Sequence, residues 1–315
     1  MYRRKLGRTD IPVSGLCFGS LTMTPFQANL TFDEGAALIK YAYDKGINFI
    51  DTAEIYDNYE YIRRALKEIP RHDYVIASKS YAYTEELAQE SLEKALKELD
   101  TDYIDIFLLH EQESEHTIRG HWPAVEYFLK AKEKGLIRAI GISTHRVEGV
   151  RGFLKYKELD VVHPLLNIEG IGIHDGTAAD MVAAIRDCHN DGRGVYSMKP
   201  LGGGHLIAKT EEAFRFVRDI SEIDSVAIGL QSFDEVDAAL QMLNTGSMAD
   251  ETKTVIKKAN RRLVVADYCQ ACGNCVARCQ QGGINIVDGQ ATPNENCILC
   301  GYCATVCPEF CIKVV

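Results

Sequence analysis

The sequence predicts a (β/α)8 barrel followed by a small cysteine-rich α+β module, and three observations carry that reading. Apolar, β-rich runs alternate with helix-period segments through the first 245 residues, the pattern of strands each followed by a helix. Ionisable residues stand directly behind consecutive strand candidates, where such a barrel gathers its chemistry. Nine of the 11 cysteines lie between Cys269 and Cys311, beyond that alternation.

The strand candidates are 15–18, 47–50, 74–78, 103–109, 137–142, 160–162, 194–198 and 225–228. Helix-period segments lie between them at 31–45, 84–99, 122–134, 178–189 and 234–243. Thr84-Glu85-Glu86-Leu87 places a cap ahead of acidic first-turn residues, a helix-start signal. Eight strands with intervening helices in about 250 residues is the pattern of a TIM barrel. An open doubly wound sheet is the competitor, but no G-x-G-x-x-G turn follows the first strand candidate. Gly202-Gly203-Gly204 instead follows the seventh, where barrels place phosphate-binding loops. Residues 246–262 are polar and mixed in charge and read as a helix. It joins the barrel, 1–245, to the module, 263–315.

Hydrophobic residues make up 46% and charged residues 25% of the chain, so the 315 residues can bury a sizeable core. A net charge of −10 argues against a nucleic-acid partner, which calls for a basic face. No run of about 18 apolar residues predicts a membrane span. The basic start, Arg3-Arg4-Lys5, has no apolar stretch behind it; this predicts no signal peptide and a cytoplasmic address. In a reducing cytoplasm, dense cysteine points to metal rather than to disulfides. Cys17 and Cys188, in apolar or helical surroundings, read as buried packing residues.

The C-terminal cysteines read Cys269-x2-Cys272-x2-Cys275-x3-Cys279, then Cys297-x2-Cys300-x2-Cys303-x3-Cys307-Pro308. Each ligand candidate recurs 28 residues later, as do Gly273 in Gly301 and the pair Ile284/Ile286 in Ile312/Val314. A thiolate at every third residue lets one loop wrap three corners of a cubane, while the fourth cysteine serves the other copy. The spacing therefore predicts two 4Fe–4S clusters. Cluster I takes Cys269, Cys272, Cys275 and Cys307; cluster II takes Cys279, Cys297, Cys300 and Cys303. Zinc also accepts paired C-x-x-C units, but two complete runs in a matching repeat favour clusters. The module resembles bacterial two-cluster ferredoxins. It departs from them at Gln280, where proline is usual, and at Cys311, a ninth thiol that reads as a packing residue.

In the barrel, Asp51, Lys79 and His110 each stand directly behind a strand candidate, and Tyr56 lies five residues past Asp51. A tyrosine titrates near pH 10 and is a poor acid at neutral pH unless a cation lies close to its hydroxyl. Lys79 is the expected cation, held by Asp51, with His110 orienting a carbonyl oxygen. Such a group protonates an oxygen as hydride reaches the neighbouring carbon.

Asp51-Thr52-Ala53-Glu54-x-Tyr56, Ala77-Ser78-Lys79, Ile106-Phe107-Leu108-Leu109-His110 and the run from Gly135 to Ser143 resemble the aldo-keto reductase family. More narrowly, the chain resembles the branch whose barrel is fused to a C-terminal ferredoxin. The resemblance implies the barrel fold, hydride transfer and a catalytic tetrad of Asp51, Tyr56, Lys79 and His110. It also implies NAD(P)H as cofactor, with contacts at Gly19, Ser20, Ser143, His163, Met198, Pro200, Leu201, Gly202 and Gln231. Three of these depart from the family pattern. Thr144 follows Ser143 where asparagine is usual, His163 replaces glutamine, and Met198 stands where a tyrosine stacks on the nicotinamide. The loop Gly229-Leu230-Gln231-Ser232-Phe233-Asp234-Glu235 carries two acids and no cation. That argues against strict NADP dependence and keeps a flavin in view.

The expected function is thus an aldo-keto reductase-type oxidoreductase of a small carbonyl or alcohol, its electrons relayed through two clusters to a ferredoxin- or flavodoxin-type carrier. The alternative is an electron-transfer or redox-sensing iron–sulfur protein whose barrel is not an active carbonyl reductase.

Overall fold

The computed structural model describes residues 3–257, 262–297, 299 and 302–314. A short hairpin comes first, β1 (Arg3–Lys5) paired antiparallel with β2 (Pro12–Ser14). Leu6, Ile11 and Val13 from this hairpin pack into the barrel's interior cluster and close its lower end.

Eight parallel strands then form the closed barrel. They are β3 (Leu16–Gly19), β4 (Phe49–Asp51), β5 (Val75–Ser80) and β6 (Ile104–Leu109). They continue with β7 (Ile137–Thr144), β8 (Val161–Pro164), β9 (Gly194–Met198) and β10 (Ser225–Gly229). Neighbours in sequence pair in order, and β10 closes on β3. Each strand lies within two residues of its expected ends.

Period-two alternation divides each strand between two cores. Cys17, Phe49, Val75, Ala77, Ile106, Leu108, Ala139, Val161, Tyr196 and Ala227 fill the barrel. The intervening Phe18, Ile50, Ile76, Phe107, Ile140 and Val162 face the outer helices. Each such buried side chain contributes about 1.5–3 kcal/mol. The five expected helices span Phe32–Asp44, Glu85–Leu99, Trp122–Glu133, Ala178–Asn190 and Phe233–Thr245. Thr31 with Glu34 and Thr177 with Asp180 form capping boxes that fix two of their starts, satisfying amides that would otherwise lack partners.

Among the described residues of the barrel, four further helices escaped the sequence pattern: Tyr59–Ala65, Glu115–Gly120, Val147–Phe153 and Thr210–Arg218. They are too short for a clear helical period. In one of them Gly149 packs against the Gln112 carbonyl and the Thr144 side chain, where a Cβ would collide. In the linker, the helix covers Asp250–Lys257; residues 258–261 lie outside the described ones.

The module holds two small antiparallel sheets, β11 (Leu263–Val265) with β14 (Ile312–Val314), and β12 (Ile284–Val287) with β13 (Gln290–Pro293). The first strand of one repeat thus pairs with the last strand of the other. Backbone conformation repeats with the sequence. Ala271 (φ 50) matches Leu299 (φ 55), Gly282 (φ 60) matches Phe310 (φ 49), and Cys279 and Cys307 are both extended.

The module is docked over the barrel mouth. Phe310 is buried in an apolar cluster with Leu165, Ile171, Leu206 and Ala213. The Ile312 carbonyl bonds His205 Nε2 at 2.9 Å, and Arg262 donates to the Gln27 carbonyl at 2.7 Å. No helix among the described residues is long and apolar enough to cross a membrane.

Candidate active site

The alternation that fills the barrel also aims its rim. Phe49 points inward, so Asp51 does too; Val75 and Ala77 fix Lys79, and Ile106 and Leu108 fix His110. Ser143, His163 and Met198 continue the same inward rows on β7, β8 and β9. Tyr56 comes from the short helical turn Glu54–Tyr56 just past β4.

Lys79 is buried and donates to Asp51 Oδ2 and to the Thr52 carbonyl, both at 2.7 Å. Asp51 Oδ1 accepts from the Tyr196 hydroxyl at 3.0 Å. Tyr196 was not foreseen, although its place one inward step below Met198 was legible. The ammonium also lies 5.1 Å from the centre of the Tyr56 ring, and the Tyr56 and His110 rings meet edge to face at 5.9 Å. The structure therefore brings all four tetrad candidates together.

The Lys79 ammonium faces Tyr56 and is ion-paired with Asp51. Burial, with the charges of Asp51 and Glu111, holds the Tyr56 pKa well above its usual value. Tyr56 therefore keeps its proton at neutral pH. His110 is pushed well below the ordinary histidine range by burial and by Lys79 and Lys199, so its imidazole is neutral. Its Nδ1 is buried without a partner among the described residues. Tyr81 stacks on the His110 ring at 4.5 Å and donates to Glu111 at 2.6 Å.

Several expected cofactor contacts are already engaged. Ser20 sits at the end of β3 beside Gly19, and donates to the Asp51 carbonyl at 2.8 Å. His163 stacks on Tyr196 at 3.9 Å, and its Nδ1–H donates to the Tyr196 carbonyl at 2.6 Å. It thus supports Asp51 from below instead of reaching the mouth. Ser143 Oγ accepts from the Glu111 amide at 2.9 Å. The Gln231 amide donates to Glu235 at 2.8 Å, so an acid occupies the start of the helix Phe233–Thr245. Met198 is half-buried and leans on the Leu165–Ile171–Phe310 cluster with Leu201.

The largest difference concerns the glycine loop behind β9. Pro200 and Gly202 are buried. A Cβ on Gly203 would meet Phe310 and Lys313, and one on Gly204 would collide with the Val314 carbonyl. These glycines serve close approach of the C-terminal strand, so the loop expected to cradle phosphates is covered. Phe310, Lys313 and Val314 pack directly against it.

In the module the thiols ring two hollows. Cys269, Cys272, Cys275 and Cys307 line one, with Cys311 against it. Cys279, Cys297 and Cys303 line the other; Cys300 and Gly301 lie outside the described residues. The fourth cysteine of each run therefore faces the other run's hollow. Among the described residues no three His, Cys, Asp or Glu side chains converge tightly enough for a single metal ion. The Ala271 and Gly283 amides point at the Cys269 and Cys279 sulfurs at 3.5 and 3.2 Å. Cys311 is buried, 3.4 Å from the Cys307 sulfur.

A TIM barrel with a tyrosine, a buried lysine–aspartate pair and a neutral histidine at its C-terminal rim defines a class of proton-donating barrel enzymes. The family model for the aldo/keto reductase family matches residues 15–261, and the chain belongs to that family. It is an oxidoreductase of that type. The chain is 26% identical to the L-galactose dehydrogenase of Arabidopsis thaliana over 301 residues, 81% of this chain and 92% of that one. It is 35% identical to the NAD/NADP-dependent indole-3-acetaldehyde reductase of Schizosaccharomyces pombe, over 37% of this chain and 42% of the other. An aldo-keto reductase structure from Bacillus halodurans shares the fold, with a TM-score of 0.63 at 23% identity, covering 82% of this chain and 96% of that one.

Proposed function

We propose that the chain interconverts a small carbonyl compound and its alcohol at the barrel rim, with electrons relayed through two 4Fe–4S clusters in a ferredoxin-type module, residues 263–315. One observation carries the reading. Phe310 follows Cys307 by three residues and sits in the mouth's apolar cluster beside Met198, so the wall of one thiol-ringed hollow continues into the rim.

Cys269, Cys272, Cys275 and Cys307 would hold cluster I, and Cys279, Cys297, Cys300 and Cys303 cluster II. When bound, such clusters pass electrons singly and connect the barrel to a carrier of ferredoxin or flavodoxin type. The remaining chemistry belongs to the chain's own side chains. Tyr56 holds its proton and would deliver it to the carbonyl oxygen, while a bound nicotinamide or flavin would supply the hydride that the carbonyl carbon gains. The Tyr56 oxygen is left beside Lys79, whose ammonium offsets the new negative charge. Asp51, fixed by Tyr196, keeps Lys79 in place, and the neutral His110 offers an N–H that orients the carbonyl oxygen. In the reverse direction Tyr56 takes the alcohol's proton.

Members of the family typically use NAD(P)H. The covered glycine loop favours a second cofactor reading here: a flavin at the rim, which exchanges electrons singly or in pairs. The related proteins act on aldehydes or on a sugar, as their names state, which supports a carbonyl or alcohol substrate.

Anaerobic purification followed by an inventory of iron, sulfide and flavin tests the proposal. About eight iron atoms per chain, and carbonyl reduction by the reduced protein, would support it. Iron-free protein, or carbonyl turnover at the expense of NADH or NADPH with no change in cluster absorbance, would overturn it.

A further inference from the structure

Lys199 follows β9 directly and is half-buried, with its backbone in the left-handed region at φ 59. A lysine held there is strained, and such strain persists where the surroundings impose it. Its ammonium contacts His145 Nε2 at 2.9 Å. An ammonium only donates, so His145 accepts through Nε2 and is neutral, in keeping with burial pulling its pKa well down. That leaves two ammonium protons, and among the described residues no carboxylate lies within ion-pair distance of Lys199.

Its surroundings place this group across the mouth from the tetrad. His145 Nε2 is 3.9 Å from Glu111, Glu111 bonds Tyr81, and Tyr81 stacks on His110. Phe310 roofs the cluster, 4.8 Å from the Lys199 ammonium and 3.7 Å from that of Lys313. Lys313 donates to the Phe310 carbonyl, and His174 stacks on His145 at 6.0 Å. Glu111, 3.9 Å from His145 and hydrogen-bonded to Tyr81, adds a negative charge beside this cluster, so the mouth suits a monoanion better than a dianion.

We infer that Lys199 and His145 form a substrate-anchoring site for a carboxylate, so that the carbonyl compound reduced at Tyr56 is an oxo acid rather than a neutral aldehyde. The inference rests on the proposed function for the reacting end of the molecule, but the anchor is separately testable. Burial lowers the Lys199 pKa to about 8, which leaves it mostly protonated at neutral pH, and a bound carboxylate would raise it again.

The test is calorimetric titration of the anaerobically purified protein with oxamate, a monoanion, with oxamide, its neutral counterpart, and with inorganic phosphate. Oxamate is expected to bind at least about tenfold tighter than oxamide, a difference of about 1.4 kcal/mol, and phosphate should not displace it. Lys199→Met should weaken oxamate at least about tenfold and leave oxamide within about twofold, while Lys199→Arg retains part of the preference. Equal binding of oxamate and oxamide, tight phosphate binding, or an unaltered Kd in Lys199→Met would overturn the inference. Should Lys199→Met fail to fold, His145→Phe takes its place, because removing the acceptor frees the ammonium without removing its charge. In that variant the preference for oxamate should survive while its Kd changes, and an unchanged Kd would count against the anchor. Tyr56→Phe separates the two proposals, since it should still bind oxamate while losing carbonyl reduction.

Discussion

At the scale of single residues, the Asp51–Lys79 pair decides whether the rim exists at all. Both groups are buried, and removing one partner strands the other's charge. Lys79→Met should therefore cost about 3–5 kcal/mol of stability, read by denaturant unfolding, as well as abolishing turnover. Tyr56→Phe, which removes a proton and no charge, should leave stability near the wild type while slowing carbonyl reduction by about 10²–10⁴. Histidines set the acid limit. Burial lowers the His163 pKa to about 4, and His110 and His145 are lowered too. The unfolded chain binds these protons near pH 6.5, so the folded state loses stability as pH falls from about 6.5 toward 4. His163 alone should account for about 3 kcal/mol of that loss, seen as a falling Tm that His163→Gln makes shallower. The residues of the tetrad were legible because each stands one inward step beyond a strand. Their orientations were not. Nothing in the sequence says that Lys79 turns to the Thr52 carbonyl and Asp51, or that His163 stacks under the rim on Tyr196.

At the scale of elements, the strands were legible to within two residues, because a buried parallel strand writes an apolar run into the chain. The short helices were not, since seven residues scarcely span two turns. The module's internal repeat was legible as well, and one of its asymmetries explains the docking. Gly282 in the first copy becomes Phe310 in the second, at nearly the same left-handed φ. A bulky residue is strained there, yet Phe310 is buried against Leu165, Ile171 and Leu206. Packing against the barrel outweighs the local strain. Phe310→Ala should cost about 3–5 kcal/mol of docking, read as faster amide exchange in β11 and β14 with the barrel strands unaffected. Gly204→Val should do the same from the barrel side, by colliding with the Val314 carbonyl. That Gly203 and Gly204 admit the C-terminal strand was not legible, because close approach to a phosphate and close approach to another strand call for the same residue.

At the scale of the whole molecule, the chain joins a proton-delivering barrel to a thiol-rich module seated over its mouth, and that seating carries the functional account. The domain order could be read from the cysteine spacing, but not the docking, which depends on contacts more than 100 residues apart such as His205 with Ile312. The module's position covers the glycine loop and brings Phe310 beside Lys199, with Tyr56 half-buried and His110 buried at the rim. If the clusters and the rim work as one system, electrons stored in the module must leave through the substrate, and the proton from Tyr56 must accompany them. The most direct test reduces the anaerobic protein with one reductant addition, removes the excess, and mixes it with a carbonyl acid while following cluster absorbance by stopped flow. Reoxidation that requires the substrate, yields the hydroxy acid and slows at least about a hundredfold in Tyr56→Phe is the predicted result. Clusters that stay reduced in the presence of substrate, or that reoxidise at the same rate in Tyr56→Phe, would contradict it.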